Sequence, residues 1–322
     1  MAKHKISWTD TTWNPLAGCT RASSGCDNCY AAGMALRLEA MAQADIAAGK
    51  DPGAKAKYIG VATRTGNGKA AFNGKINFDH GALNDPYTWK KPRMVFVNSM
   101  SDLFHKDVPD AFLDRVFQVM IDNHQHTFQV LTKRAERMAQ YVKTYHPHLD
   151  ACKHIWLGVS VENQDAADKR IPHLLNVPAA VRFLSCEPLL GPVDLKHVGA
   201  EDWDVLSGWK AKALNERGWA NTSLIHWVIA GGESGAHARP MNPQWVRWLR
   251  DDCLMAGIPF HFKQYGEWAP ASSSDEAFRM VSYGEVKHMH TFDDGHIVYR
   301  FGKHKAGRIL DGRTWDEFPN GV

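Results

Sequence analysis

From Arg93 onward the chain repeats one pattern, and that pattern restricts the folds open to it. Short continuous apolar runs alternate with amphipathic helical stretches. Residues 94–97, 128–131, 155–159, 181–184, 224–229 and 259–262 read as strands. Helical stretches follow Pro109 (with Phe112, Leu113, Val116, Phe117 and Met120 on one face) and span 133–145, 162–175 and 243–255. Runs without polar alternation suit strands buried on both faces. Alternation with helices predicts parallel strands joined by helical crossovers. With one early strand assumed ahead of them, this makes about six or seven βα units. The fold class is therefore α/β, as a partial or irregular (β/α) barrel or as an open doubly wound sheet. No G-x-G-x-x-G follows the first strand, which disfavours a dinucleotide fold.

A chain of 322 residues fits one such barrel with an appendage. The expected division is 1–265 for the barrel, with 49–88 as an irregular insertion rich in Gly, Lys and Asn, and 266–322 as a C-terminal β-containing cap packed on it. Residues 6–10 read as a short strand or extended arm, and 30–48 as a helix. Asp293-Asp294-Gly295 marks a hairpin turn. No run approaches the roughly 20 apolar residues of a membrane span. The first residues lack the apolar stretch of a secretory signal, so a cytoplasmic location is expected.

Six cysteines are too sparse for a disulfide scaffold. Cys152, Cys186 and Cys253 stand in apolar surroundings and read as buried core thiols. Cys19, Cys26 and Cys29 differ. They fall within eleven residues, spaced C-x6-C-x2-C, in a polar loop directly before the first helix. A structural zinc site calls for four ligands in paired elements, and no second pair stands at suitable spacing. A deaminase-type zinc site would need an H-x-E motif, which does not occur. A [4Fe-4S] cluster suits three soft thiolates better, since three irons are held and the fourth stays open to an exchangeable ligand.

In parallel α/β folds the chemistry gathers at the C-terminal ends of strands. Those positions here hold Asn98, Ser99, Ser101 and Asp102, then Thr132 and Lys133, then Ser160 and Glu162. After them come Ser185 and Glu187, Glu233, and Lys263 with Gln264. Almost every strand ends in a polar or ionisable group, although Asn98 and Ser160 also read as caps of following helices. Small basic groups (Lys90-Lys91-Arg93, Lys133-Arg134-Arg137, Lys303-Lys305-Arg308) and twelve tryptophans suit a ligand carrying phosphates and bases. The net charge of +3 alone does not require one.

Trp8-Thr9, Trp13-Asn14-Pro15, Gly18-Cys19, Gly25-Cys26 and Cys29-Tyr30-Ala31 resemble a phage and prophage three-Cys-motif family. The likeness continues through residues 98–104, 131–134 and 158–163, Glu187-Pro188, residues 231–234 and residues 307–312. That family is regarded as radical-SAM-like and distantly similar to spore photoproduct lyase. The first gap is six residues where the commonest radical SAM loop has three. Asn28 stands where an aromatic is usual, with Tyr30 just beyond the last cysteine.

The resemblance implies a barrel of the radical SAM type. Cys19, Cys26 and Cys29 would hold a [4Fe-4S] cluster that, with an electron donor, cleaves S-adenosylmethionine (SAM) to a 5′-deoxyadenosyl radical. Strand-end position suggests cofactor contacts from Asn98, Ser99, Ser101, Ser160 and Glu162, and Tyr30 stands in for the usual aromatic. Lys133 and Arg134 would meet substrate, and Glu233 and Lys263 would act at the reacting centre. The substrate class expected is a nucleic-acid base or nucleotide, as in phage DNA hypermodification. Two other readings stand beside it: a zinc-stabilised nucleic-acid-binding protein without catalysis, and a radical SAM enzyme for a small molecule.

Overall fold

The structure is a computed structural model that describes residues 6–200, 202–207, 209–210 and 224–319. The outer ends of the two expected spans, 1–5 and 320–322, lie outside the described residues. The main sheet has seven strands: β1 (Thr11–Trp13), β2 (Met94–Val97), β3 (Thr127–Thr132), β4 (Ile155–Ser160), β5 (Val181–Cys186), β6 (Trp227–Gly231) and β7 (Phe260–Gln264). Their order in the sheet is their order in the chain. Pairs β1–β2, β2–β3, β5–β6 and β6–β7 run parallel. A doubly wound sheet reverses its strand order at a switch point. No such reversal occurs among these strands, so the arrangement is compatible with a partial (β/α) barrel.

Among the described residues, helices lie in five of the six connections: α1 (Tyr30–Ala47), α2 (Asp110–Asp122), α3 (Ala135–Tyr145), α4 (Gln164–Leu175) and α5 (Pro243–Ala256). Packing fixes α2, whose buried face is Phe112, Leu113, Val116, Phe117, Val119 and Met120. Six such side chains at about 1.5–3 kcal/mol each outweigh propensity differences below about 1 kcal/mol per residue.

The chain forms two compact units. The first is Met1–Gly158 with Val177–Ala180, and the second is Val159–Asn176 with Val181–Val322. The C-terminal cap belongs to the second unit. There, strands Trp268–Ala269, Met289–Thr291 and Ile297–Arg300 form an antiparallel sheet, and Gly295 sits in the expected turn with φ +84°. Residues 315–317 exchange backbone hydrogen bonds with Phe260 and Phe262, which covers the outer edge of β7.

Several expectations shift. The early strand is Thr11–Trp13 rather than residues 6–10. Thr9 and Asp10 instead cap the start of β2: Thr9 Oγ1 donates to the Met94 carbonyl (2.9 Å), and the Met94 N–H donates to the Asp10 carboxylate (2.9 Å). Helix α4 starts at Gln164, because Asn163 supplies the cap by accepting the Ala166 N–H (3.0 Å). Ser160 stays in its strand. Strand β6 begins at Trp227, three residues after the expected start. The 49–88 insertion is ordered by pairing: Ala62–Arg64 forms a hairpin with Ala70–Phe72, and Asn77–Phe78 pairs with Leu16–Ala17. Cys186 and Cys253 are buried, whereas Cys152 is only half-buried.

His126, His154, His226 and His261 are all held below the ordinary imidazole value, chiefly by burial. His261 falls furthest, from 6.5 to about 4, although Asp316 opposes the shift. The unfolded chain therefore takes up protons first as pH falls. Stability is fully present above about pH 6.5 and drains towards pH 4, with His261 alone worth about 3 kcal/mol. The urea midpoint should drop between pH 7 and pH 4.5. His261→Gln should flatten part of that drop, and an unchanged slope would refute the assignment.

Candidate functional site

The three cysteines are placed by three neighbours in the first unit. Gly18 delivers the chain into the loop at φ +101°. A Cβ there would stand 2.0 Å from the Lys75 carbonyl oxygen, so only glycine allows the insertion to approach. Ser24–Cys26 makes a single 3-10 turn, and Cys29 is the N-cap residue of α1. Behind the loop, Ala31 and Ala35 of α1 pack with Ala17, Tyr58, Val61, Ala62 and Met100, and Cys29 and Phe72 pack against that cluster. The insertion thus closes over the alanine face of α1 and fixes the helix that carries the last cysteine.

Residues after β2 lace to the same segment. Asn98 N–H donates to the Trp13 carbonyl (2.8 Å), and Met100 N–H and Ser99 Oγ both donate to Asn14 Oδ1 (3.1 and 3.2 Å). Ser101 bridges to Gly18 and donates to the Leu16 carbonyl (3.3 Å). Tyr30, 58% exposed, donates its hydroxyl to the Ser99 carbonyl (3.1 Å). Asn98 stands apart. It is 3% exposed and left-handed at φ +59°, and neither polar atom of its side-chain amide has a hydrogen-bond partner among the described residues. It is not the helix cap that its position in the sequence suggests.

Arg134, just beyond β3, reaches into the cysteine loop. Its Nη1 donates to Asp102 Oδ2 (2.7 Å) and lies 3.7 Å from the Cys19 sulfur. Its Nη2 donates to the carbonyl (3.1 Å) and hydroxyl (2.8 Å) of Thr20. Asp102 is held in turn by the Thr132 hydroxyl (2.7 Å) and the N–H groups of Phe104 (3.0 Å) and Lys133 (3.2 Å). Thr20 Oγ1 also lies 2.9 Å from His105 Nε2.

Burial pushes the Cys19 thiol up to about 12; Asp102 adds to the rise and Arg134 opposes it. Burial also raises Cys29, against the amides of Ala32 and Ala31 and the charge of Lys133. The Ala22 N–H points at the Cys26 sulfur at 3.5 Å. Each sulfur therefore faces an N–H donor, which only partly offsets the burial that disfavours a thiolate at Cys19 and Cys29. Among the described residues no three His, Cys, Asp or Glu side chains converge as a single metal ion requires.

The remaining sequence candidates fall in the second unit, where most are paired. Glu162, 1% exposed, takes a two-pronged contact from Arg170 (2.7 and 3.2 Å), which also donates to the Ser160 carbonyl (2.7 Å). Lys263 meets Glu187 at 3.1 Å. Glu233 receives the Arg239 backbone N–H (2.8 Å), Nε (3.0 Å) and Nη2 (2.7 Å). Gly232 lies so close to the residue after strand β7 that a Cβ would stand 1.9 Å from the Tyr265 carbonyl oxygen. The expected residues thus divide by unit: Cys19, Cys26, Cys29, Tyr30, Asn98, Ser99, Ser101, Lys133 and Arg134 in one, and Ser160, Glu162, Glu233 and Lys263 in the other.

Roles for Asn14, Thr20, Arg170 and Arg239 were not legible in the sequence, because none ends a strand. Asp102 and Glu187 do stand at strand ends, and that signal marked them without revealing their partners.

Three substitutions test this geometry. Gly18→Ala should displace the insertion from the loop and lower the melting temperature; an unchanged melting temperature would contradict the 2.0 Å approach. Arg170→Met strands a buried carboxylate and should cost about 3–5 kcal/mol by urea unfolding, while Glu162→Met with Arg170→Met should recover most of it. Equal losses in the single and double variants would contradict the pairing.

Residues 3–319 match a family described as "Protein of unknown function (DUF5131)". No curated protein and no solved structure matches the chain.

Proposed function

The chain belongs to the DUF5131 family, and we propose that within it this protein is a radical SAM enzyme whose cluster is held by Cys19, Cys26 and Cys29. The observation that carries the reading is the donor set. Three thiols lie on one short loop, and each sulfur faces an N–H group. The orphaned Asn98 amide, buried in the same unit, adds to it as a polar group still lacking a ligand. Bound there, cluster and SAM would supply one-electron cleavage of the C5′–S bond and a 5′-deoxyadenosyl radical for hydrogen abstraction.

The chain's own residues bind and orient. The 98–101 segment, tied to Asn14 and Gly18, presents the Asn98 amide for the amine and carboxylate of the methionyl group. Tyr30 offers a ring, anchored at its hydroxyl, for the adenine side. Ser160 offers a strand-end hydroxyl to a ribose, while Glu162 acts through its Arg170 pair to stiffen that strand end. Glu233 and Lys263, both in the second unit, are proposed to face the substrate, each partnered by a charge of opposite sign.

The proposed substrate is a nucleic-acid base or nucleotide in the cytoplasm, with a separate electron donor. The sequence resemblance supports it, whereas Arg134, expected to meet substrate, is held by Asp102 and Thr20. Several other basic groups serve the chain itself: Arg308 pairs with Asp316, Lys305 with Glu276, and Arg93 lies over Trp89. No helix among the described residues is long and apolar enough to cross a membrane.

Anaerobic purification tests the assignment. A brown protein with about four irons and four sulfides per chain is expected, along with 5′-deoxyadenosine after reduction in the presence of SAM. A colourless protein with one zinc per chain would replace this reading with the zinc-stabilised one. Salt-titrated mobility shifts with DNA and RNA test the substrate class, which falls if no binding is seen at low ionic strength.

A further inference from the structure

Resting on the reading of the three cysteines as cluster ligands, we propose that Arg134 is a positioning residue. It fixes the Cys19 sulfur by an N–H···S contact and thereby sets the reduction potential of the bound cluster. The donors facing the other two sulfurs are backbone amides: Ala22 at Cys26, and Ala31 with Ala32 at Cys29. At Cys19 the donor is a side chain arriving from the end of another strand, 115 residues away in sequence.

The guanidinium cannot swing freely. Nη1 is shared between Asp102 and the sulfur, and Nη2 grips both oxygens of Thr20. Asp102, which would otherwise add one more buried negative charge beside the thiolates, is saturated by Thr132, Phe104 and Lys133 as well. The pair Arg134–Asp102 carries little net charge. Its effect on Cys19 is therefore a directed N–H donor, of the kind that tunes iron–sulfur potentials through the sulfurs. The planar fork is what allows one side chain to hold a carboxylate, a loop and a sulfur at once, which a lysine cannot reproduce.

Withdrawing that donor leaves more electron density on the sulfur, so the cluster becomes harder to reduce. The test compares wild type, Arg134→Lys and Arg134→Gln after anaerobic purification of the full chain. Iron and sulfide content, melting temperature and the midpoint potential from a spectroscopic redox titration are read without SAM or substrate. The expected result is a shift to more negative potential in Arg134→Gln and a smaller shift of the same sign in Arg134→Lys. If Arg134→Gln does not fold, the shift in Arg134→Lys decides the matter.

Potentials for both variants that coincide with wild type, at full iron content, would overturn the role of Arg134 and leave the cluster assignment standing. A potential in Arg134→Lys equal to wild type, with a shift only in Arg134→Gln, would overturn the directed contact in favour of bare charge. A wild-type protein without iron and sulfide would remove the proposed function and this inference together.

Discussion

The ion pair between Arg134 and Asp102 is the interaction on which the first unit's polar architecture depends. Asp102 gathers the turn after β2 and the end of β3, because its carboxylate accepts from residues 104, 132, 133 and 134. Arg134 carries that anchorage across to Thr20 and Cys19. Both side chains are largely buried. In such a setting, removing one partner costs several kcal/mol, since the other is left charged and unpaired. The cysteine loop is thus held from the sheet side by charge and from the helix side by apolar contacts of α1 with the insertion.

The strand ends of the two units follow different rules. In the second unit most of the ionisable ends are internally satisfied: Glu162 by Arg170, Glu187 by Lys263 and Glu233 by Arg239. In the first, Asn98 has neither its amide donor nor its acceptor satisfied among the described residues. A buried unsatisfied polar group costs about 1–3 kcal/mol, and the left-handed backbone at the same residue adds to that. A chain that needed only to fold would gain by a glycine there, which takes the left-handed backbone freely and buries no side-chain amide. The strain lies in the same unit as the three thiols, and a ligand with donors and acceptors of its own would relieve it.

How much of this could be read from the chain depended on range. The strands at 94–97, 128–131, 155–159 and 181–184 were legible because burial leaves short apolar runs, interrupted only by Gln129 and Arg182. Strand β1 was misplaced, since Thr-Thr-Trp carries no such run and its place is fixed by pairing with β2 more than eighty residues away. The cysteine spacing named the candidate ligands. It could not show that the insertion at 49–88 closes over α1, because the contacts of Tyr58, Val61 and Ala62 only exist once the hairpin and the Gly18 approach are formed. Arg134 was legible as a cation after a strand and was expected to meet substrate. Its partners Thr20, Asp102 and Cys19 are far from it in sequence, and they direct it towards the cysteine loop.

Everything proposed for this protein depends on the Cys19, Cys26 and Cys29 loop holding a cluster with one iron open to SAM. Electron paramagnetic resonance of the dithionite-reduced, anaerobically purified protein, recorded with and without SAM, tests it most directly. The account predicts a signal from a reduced [4Fe-4S] cluster whose g-values change when SAM is added, and loss of that signal in Cys19→Ala, Cys26→Ala and Cys29→Ala. An iron-free protein, or a cluster signal that SAM leaves unaltered, would contradict it.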